Sequence, residues 1–307
     1  MGTPEFAVPT LEKLIMHHEV VAVVTQPDKP KGRGKKILFP PVKEKALENN
    51  IPVLQPQKIR TAEFLEELKA FEADVFVVIA YGRILPESIL NLPKYGCINV
   101  HGSLLPKYRG AAPIQWSVID GESVTGVSIM YMDIGLDTGD VILQKEMKIN
   151  DDATSANVHD EMSILGAEAL IEALELIEQG NVQRVKQQDE LSTYAKPLTK
   201  EMGNIDFNKS AKEILNLIRG LNPWPTAYTN YSGSIMKIWK AEFYDSSTKC
   251  QNGEIVDVLN DRGIVVQASD GCILITEIQM TNSKRMKVSD YLRGHADSFS
   301  KSQMFSS

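Results

Sequence analysis

The sequence predicts an α/β protein: an open, doubly wound sheet followed by a smaller β-rich domain. Three observations lead there. Through the first two-thirds of the chain, β-branched apolar runs alternate with helical patterns, the order that puts helices over both faces of a sheet. Beyond Gly180 helical patterns become scarce, and short strands with turn signals take over. The length, 307 residues, exceeds the ~100–150 residues of a typical single domain, so two domains are expected.

In chain order, EVVAVVTQ (19–26) is almost continuously apolar, as in a strand covered on both faces. Residues 42–49 and 62–71 read as helices. DVFVVIAY (74–81) and GCINVH (96–101) read as further buried strands, with a short helix at 86–92 between them. A helix at 113–120 precedes extended stretches at 126–132 and 141–149. Over 155–179 the pattern is one long helix: Val158, Met162, Leu165, Ala169, Leu170, Ala173, Leu174 and Ile177 form an apolar stripe, and Gly180 supplies the C-cap. A polar stretch at 183–190 leads to a helix at 211–221. Strands follow at 235–243, 253–259, 263–268 and 273–280, with Asp261-Arg262-Gly263 and Ser269-Asp270-Gly271 as hairpin turns. The expected division is a first domain over 1–183, a linker over 184–203 and a small β-barrel domain over 204–307.

An apolar fraction of 43% with 24% charged residues is ordinary for a soluble globular protein. No run reaches the ~18 apolar residues of a membrane span, and MGTPEF has neither the basic nor the apolar region of a secretory signal. A cytoplasmic protein without a membrane partner is expected. Cys97, Cys250 and Cys272 are an odd number in no metal or redox spacing, and each reads as a small buried apolar residue in a reducing compartment. The net charge of −7 argues against indiscriminate nucleic-acid binding, but it is unevenly spread. Residues 28–45 hold seven cations (Lys29, Lys31, Arg33, Lys35, Lys36, Lys43 and Lys45) against Asp28 and Glu44, a local +5 that points to a polyanionic partner.

INVHGSLLPKYRG (98–110) is where chemistry is expected. In open α/β sheets ligands bind outside the carboxyl ends of strands. Asn99 and His101 sit at such an end and, two residues apart, face the same side. Alone, a strand-end histidine is more often structural; the irregular loop after it, with Pro106, Gly110 and Pro113, favours a site. A second candidate is the loop from Asp133 to Asp140. Its sixth position is Thr138 rather than Gly and its twelfth is Gln144 rather than Glu, so it is not a calcium loop and no metal is expected. It reads as a plain Asp-Gly turn or as a hairpin delivering a carboxylate to the distant histidine.

KGRGKK (31–36) has neither the phosphate-loop frame nor the dinucleotide fingerprint. No Gly-x-Ser-x-Gly and no Cys-His pairing nominates a covalent nucleophile. Asn, His and Asp without metal or nucleophile suit a transfer in which the substrate supplies the nucleophile. Asn and His would stabilise an oxyanion, while Asp orients or protonates His.

INVHGSLLPKYRGAAPIQW (98–116) followed by MDIGLDTGD (132–140) resembles the folate-dependent formyltransferase family. The likeness runs from MGTPEFAVPTL (1–11) through TQPDKPKGRGKK (25–36) to NPWPTAYT (222–229), nearly the full length. It implies a Rossmann-like formyltransferase domain and a C-terminal barrel resembling the OB fold. It also implies a monomer that moves the formyl group of 10-formyltetrahydrofolate, its co-substrate, to the α-amine of initiator methionyl-tRNA. Asn99, His101 and Asp137 match the family's catalytic trio, and Ser103, Leu104, Leu105 and Pro106 match its folate-contacting turn. The loop with Lys31, Arg33, Lys35 and Lys36 resembles the family's tRNA-contacting insertion. Lys284, Arg285, Lys287 and Arg293 would hold the tRNA body or serve as ordinary surface charge, and Trp224 reads as a packing anchor.

The family usually has a short apolar strand just before MGTPEF, so the sheet is expected to be one strand short here. Members acting on glycinamide ribonucleotide or amino sugars share the trio, and a formyl-folate hydrolase would use water. The basic loop and the β-rich second domain favour tRNA. A non-catalytic RNA-binding relative is the remaining reading, and the intact trio speaks against it.

Overall fold

In a computed structural model, which describes residues 1–31, 36–247 and 249–305, short strands and amphipathic helices fold as two units. One comprises Met1–Pro113, Val124–Lys148 and His159–Ala195; the other comprises Ile114–Ser123, Ile149–Val158 and Lys196–Ser307.

The chain opens with α1 (Val8–His17), where Pro9 sits in the first turn and its missing N–H costs nothing. Next come β1 (Val23–Val24), a hairpin of β2 (Lys29–Lys31) and β3 (Lys36–Leu38), α2 (Pro41–Glu48) and β4 (Val53–Leu54), which pairs in parallel with β1. Thr61 caps α3 (Ala62–Lys69), its hydroxyl accepting from the Phe64 amide, so that Phe64 and Leu68 turn inward. Then follow β5 (Phe76–Val78), α4 (Glu87–Leu90), β6 (Cys97–His101), β7 (Arg109–Gly110), α5 (Pro113–Ile119), β8 (Val124–Tyr131), β9 (Val141–Lys148), α6 (Ser155–Glu178) and β10 (Tyr194–Ala195).

The main sheet of the first unit runs β5-β6-β8-β9. β5 and β6 are parallel, but β8 is antiparallel to both β6 and β9, so the sheet is mixed. Ile98, Ile129 and Val127 are fully buried, which is why β6 and β8 read as continuous apolar runs. On α6 the expected stripe faces inward, with Met162 and Leu170 fully buried, and Gly180 ends the helix at φ +70°.

The run at 19–26 forms a shorter strand than its composition predicts, because only Val23 and Val24 find a ladder partner, in β4. Their other neighbour is the amino terminus. The Gly2 N–H donates to Val24 O at 3.0 Å, and Gly2 bridges Ile79 in parallel. The Met1 amino group donates to Val77 O at 2.6 Å, and Met1 O accepts from the Ile79 amide at 2.9 Å. Met1 and Gly2 thus tie β1 to β5. Beside them lies a cavity of about 530 Å³ lined by Val21, Val23, Val75, Val77, Leu174 and Ile177 among others. Burial lowers the Met1 amino pKa from 8.0 to about 6.

In the second unit α7 (Ala211–Gly220) begins with a capping box, Ser210 and Glu213 each accepting from the other's backbone amide. The strands are β11 (Ala227–Tyr231), β12 (Ser234–Tyr244), β13 (Ile255–Leu259), β14 (Gly263–Gln267), β15 (Cys272–Met280) and β16 (Met286–Lys287), followed by α8 (Val288–Gly294). They pair antiparallel in the order β11-β12-β15-β14-β13, with β16 beside β15. The two expected hairpin turns join β13 to β14 and β14 to β15. Ile214, Ile218, Met236, Ile255, Ile264 and Ile275 belong to its core.

Two expectations for individual side chains change, and a third leaves a tRNA role and ordinary surface charge both open. Trp224 is 54% exposed and anchors no core. Cys97 and Cys272 are buried as expected, but Cys250 is only half-buried. Arg285 makes a two-point ion pair with Glu277, both contacts at 2.7 Å, and Arg293 pairs with Asp290, so two of the four cations proposed to face RNA are engaged locally. Among the described residues, no helix is long and apolar enough to cross a membrane.

Candidate active site

The site is built on the last residues of β6. Asn99 pairs with Met130 and His101 with Ser128 across the antiparallel β8, so the two polar side chains emerge on one face. The Asn99 carboxamide is half-buried and makes no hydrogen bond to any described side chain or backbone group, so its two donors remain available. His101 is only 5% exposed. Its Nε2 lies 2.9 Å from Tyr108 O, and a carbonyl can only accept, so Nε2 carries the hydrogen. Nδ1 then faces Asp137 Oδ2 at 3.6 Å.

Asp137 reaches this position from the loop between β8 and β9. Its backbone is left-handed at φ +53°, a conformation Asp tolerates better than most residues. The loop closes on itself through Asp133, whose Oδ1 accepts from the Gly135 amide and the Thr138 hydroxyl at 2.9 and 2.6 Å. Asp137 Oδ2 also accepts from the Gly110 amide at 2.8 Å. Of the two readings of this loop, the hairpin that delivers a carboxylate to the histidine is the one the fold adopts.

Gly110 needs to be glycine. Its φ is +119°, and a Cβ there would lie 2.7 Å from Ala195 O. The bare backbone lets β7 pair in parallel with β10 while its N–H points at Asp137.

The turn over 103–106 is held from below. The Ser103 hydroxyl donates to Lys107 O at 2.6 Å, and the Leu105–Pro106 peptide is cis. Ser128 Oγ donates to Ser103 O at 2.6 Å and accepts from the Leu105 amide at 3.0 Å. Gln144 Nε2 donates to both Ser128 Oγ and Leu105 O, at 2.8 and 2.9 Å. Ser103 and Leu105 are buried, whereas Leu104 and Pro106 are half-buried.

Several supporting residues escaped the sequence reading. Ser128, the one serine in the apolar GVSIMYM run, was the available signal for the clamp under the turn. Arg109 lay inside the quoted motif without a role; it is 9% exposed, and its Nε and Nη2 donate to Gln187 Oε1 at 3.0 and 2.9 Å. Gln187 sits in a stretch whose composition reads as a linker.

The basic segment is described in part. Lys31 and Lys36 are cross-strand partners in the β2–β3 hairpin, whereas Arg33 and Lys35 lie outside the described residues. Lys43 pairs with Asp28 at 2.7 Å and Lys45 with Glu12 at 2.9 Å, so two of the seven cations in this window serve the fold. The excess left for a polyanion is smaller than the bare count suggests.

An amide and an imidazole at the end of β6, with the Asp137 carboxylate facing the imidazole, are groups suited to acyl transfer, and the family comparison points the same way. Residues 2–174 match the formyl transferase domain and residues 197–296 the formyl transferase C-terminal domain; the chain belongs to the formyl transferase family. More particularly, a relative from Clostridioides difficile (strain 630) named methionyl-tRNA formyltransferase is 56% identical over 296 residues, 96% of each chain. One of the same name from Acetivibrio thermocellus is 52% identical over 297 residues, covering 96% of this chain and 95% of that one.

Solved structures share the fold. WlaRD, a sugar 3N-formyl transferase crystallised with dTDP and 5-N-formyl-THF, superposes with a TM-score of 0.66 at 21% identity, over 92% of this chain and 97% of that one. An N-formyltransferase from Helicobacter canadensis gives 0.66 at 22%, over 93% and 97%.

Proposed function

We propose that this chain transfers the formyl group of 10-formyltetrahydrofolate to the α-amine of initiator methionyl-tRNA, giving N-formylmethionyl-tRNA for translation initiation. The observation that carries the reading is the Asn99 carboxamide, without a hydrogen-bond partner among the described residues, on the same strand face as His101, whose Nδ1 faces the Asp137 carboxylate. The name shared by its relatives supports the acceptor.

A free α-amine has a pKa of about 7.7–8.0, and esterification lowers it, so neutral amine is available near pH 7. Its lone pair attacks the formyl carbon, forming the new C–N bond and leaving an oxyanion. The Asn99 donors stabilise that oxyanion, and a single such donor is commonly worth about 3–4 kcal/mol. With the Nε2 hydrogen committed to Tyr108 O, His101 exchanges protons at Nδ1, the atom facing Asp137. Asp137 and His101 take the proton released by the amine. Collapse then breaks the bond to folate N10, which receives a proton, so the amine loses one, N10 gains one, and the site is restored.

Ser103–Pro106 would border the folate, with Leu104 and Pro106 offering apolar contact. Lys31, Arg33, Lys35 and Lys36 would meet acceptor-end phosphates, giving salt-dependent affinity. The 204–307 domain, as an OB-like barrel, would hold the tRNA body, joined by the 184–203 linker to a catalytic domain over 1–183. The enzyme would act as a cytoplasmic monomer.

The test supplies purified chain with 10-formyltetrahydrofolate and methionyl-tRNA, with and without prior RNase treatment. N-formylmethionyl-tRNA should form only with intact RNA. Asp137→Asn should lower turnover by at least about 100-fold while folate still binds. Near-normal turnover in that variant refutes the assignment.

A further inference from the structure

We infer that Gln187 is a positioning residue for Asp137 and that Arg109 fixes the orientation of its amide. This rests on the catalytic role proposed for Asp137. That carboxylate must face His101 from a Gly-rich loop whose backbone at residue 137 is left-handed. Asp133 ties the Gly135 amide and the Thr138 hydroxyl, but neither of those bonds engages the carbonyls of Asp137 and Gly139.

Gln187 supplies the missing restraint. Its Nε2 donates one hydrogen to Asp137 O and the other to Gly139 O, both at 2.8 Å. Gln187 as a whole is 8% exposed, so these bonds are made with little competition from water. The two carbonyls can only accept and so require the amide nitrogen, and Arg109 enforces the same orientation from the other side. A guanidinium can only donate, and its Nε and Nη2 both converge on Gln187 Oε1, so Nε2 must face the two carbonyls. Arg109 is held in turn by Asp189, whose Oδ1 accepts from Nη2 at 2.8 Å.

The backbone completes the frame. The Arg109 amide donates to Thr193 O at 2.9 Å, and the Tyr108 amide donates to Thr193 Oγ1 at 2.8 Å. Val185 and Val141 exchange both of their backbone bonds at 2.9 Å. Residues 185–195 therefore lie as a strap across the residues around Asp137 on one side and β7 on the other. The next residue along β7, Gly110, donates to the Asp137 carboxylate itself. Arg109, Gln187 and Asp137 form one continuous restraint whose outcome is the 3.6 Å separation from His101. A displacement of about 1 Å at such a site costs on the order of 100-fold in rate.

The experiment compares Gln187→Leu and Gln187→Glu, each alone and combined with Asp137→Asn. Gln187→Glu keeps an oxygen for Arg109 and so retains the fold, but it removes both donors to the loop. Each single variant should lose about 10- to 100-fold in kcat, with the KM for 10-formyltetrahydrofolate within about twofold, measured at a temperature where circular dichroism shows the variant folded, since the two unsatisfied carbonyls also lower the melting temperature. In single-turnover assays, neither change should slow the Asp137→Asn enzyme further, because a residue acting through Asp137 has nothing left to position. Gln187→Glu at wild-type rate overturns the inference while leaving the role of Asp137 intact. Additive losses in the double variants overturn it too, assigning Gln187 to general structure. Full activity in Asp137→Asn alone overturns the role of Asp137, and this inference with it.

Discussion

In protein prepared to start at Met1 with a free amine, the surroundings of that amine make a prediction that can be worked through. The amine donates to Val77 O between β1 and β5, where burial lowers its pKa from 8.0 to about 6. The folded state therefore holds fewer protons than the unfolded state between those values, and stability should rise with pH across that window. The gain is complete above pH 8 and lost as the pH falls through about 6. A hundredfold difference in acidity corresponds to about 2.7 kcal/mol, an order-of-magnitude figure for the first unit's stability.

The perturbation is acetylation of the amino group on chain verified by mass to retain Met1. Acetylation keeps the N–H donor and removes the titration. All three tryptophans, Trp116, Trp224 and Trp239, lie in the second unit, so intrinsic fluorescence would miss the event. Urea unfolding should instead be followed by hydrogen exchange of peptides spanning 1–11 and 74–81, at about pH 5.5 and about pH 8.5. The free chain should gain about 2–3 kcal/mol more than the acetylated chain between these conditions. Equal pH dependence in the two chains would refute the reasoning.

Two further outcomes concern the site. Asn99→Ala should reduce kcat/KM by about 100- to 1,000-fold, as expected for one oxyanion donor, with the dissociation constant of 10-formyltetrahydrofolate unchanged; a loss confined to folate binding would move Asn99 out of the transition state. Ser128→Ala leaves Ser103 O and the Leu105 amide without their partner, at about 1–3 kcal/mol each. It should raise the KM for the folate by about tenfold with kcat preserved, and steady-state kinetics that show no change in KM would remove the turn from the folate site.

What could be read from the sequence follows from range. α6 was legible almost to the residue, because its stripe and Gly180 are local signals. β6 was legible because it is buried on both faces. The run at 19–26 was overestimated, since composition reports apolar character but a strand also needs neighbours along its whole length. β4, β7 and β10 are two residues each, too short for any periodicity. Asn99 and His101 announced themselves by spacing, and Asp137 by resemblance. Gln187 could not be found that way. A single polar residue in a polar stretch carries no mark of its burial, and its amide is held between two loop carbonyls and an arginine 78 positions away.

The pairing of His101 with Ser128 has a consequence for how this protein can fail. One rung of the β6–β8 ladder joins the residue proposed to handle the proton to the hydroxyl that grips the Ser103–Leu105 turn. Sliding β6 by a single residue would send Asn99 and His101 into the core and detach that turn in the same motion. The roles proposed for the trio and for the turn therefore share a mechanical fuse. Lesions that disturb this ladder should produce mixtures of fully competent and wholly dead molecules, rather than a uniform population of slow ones.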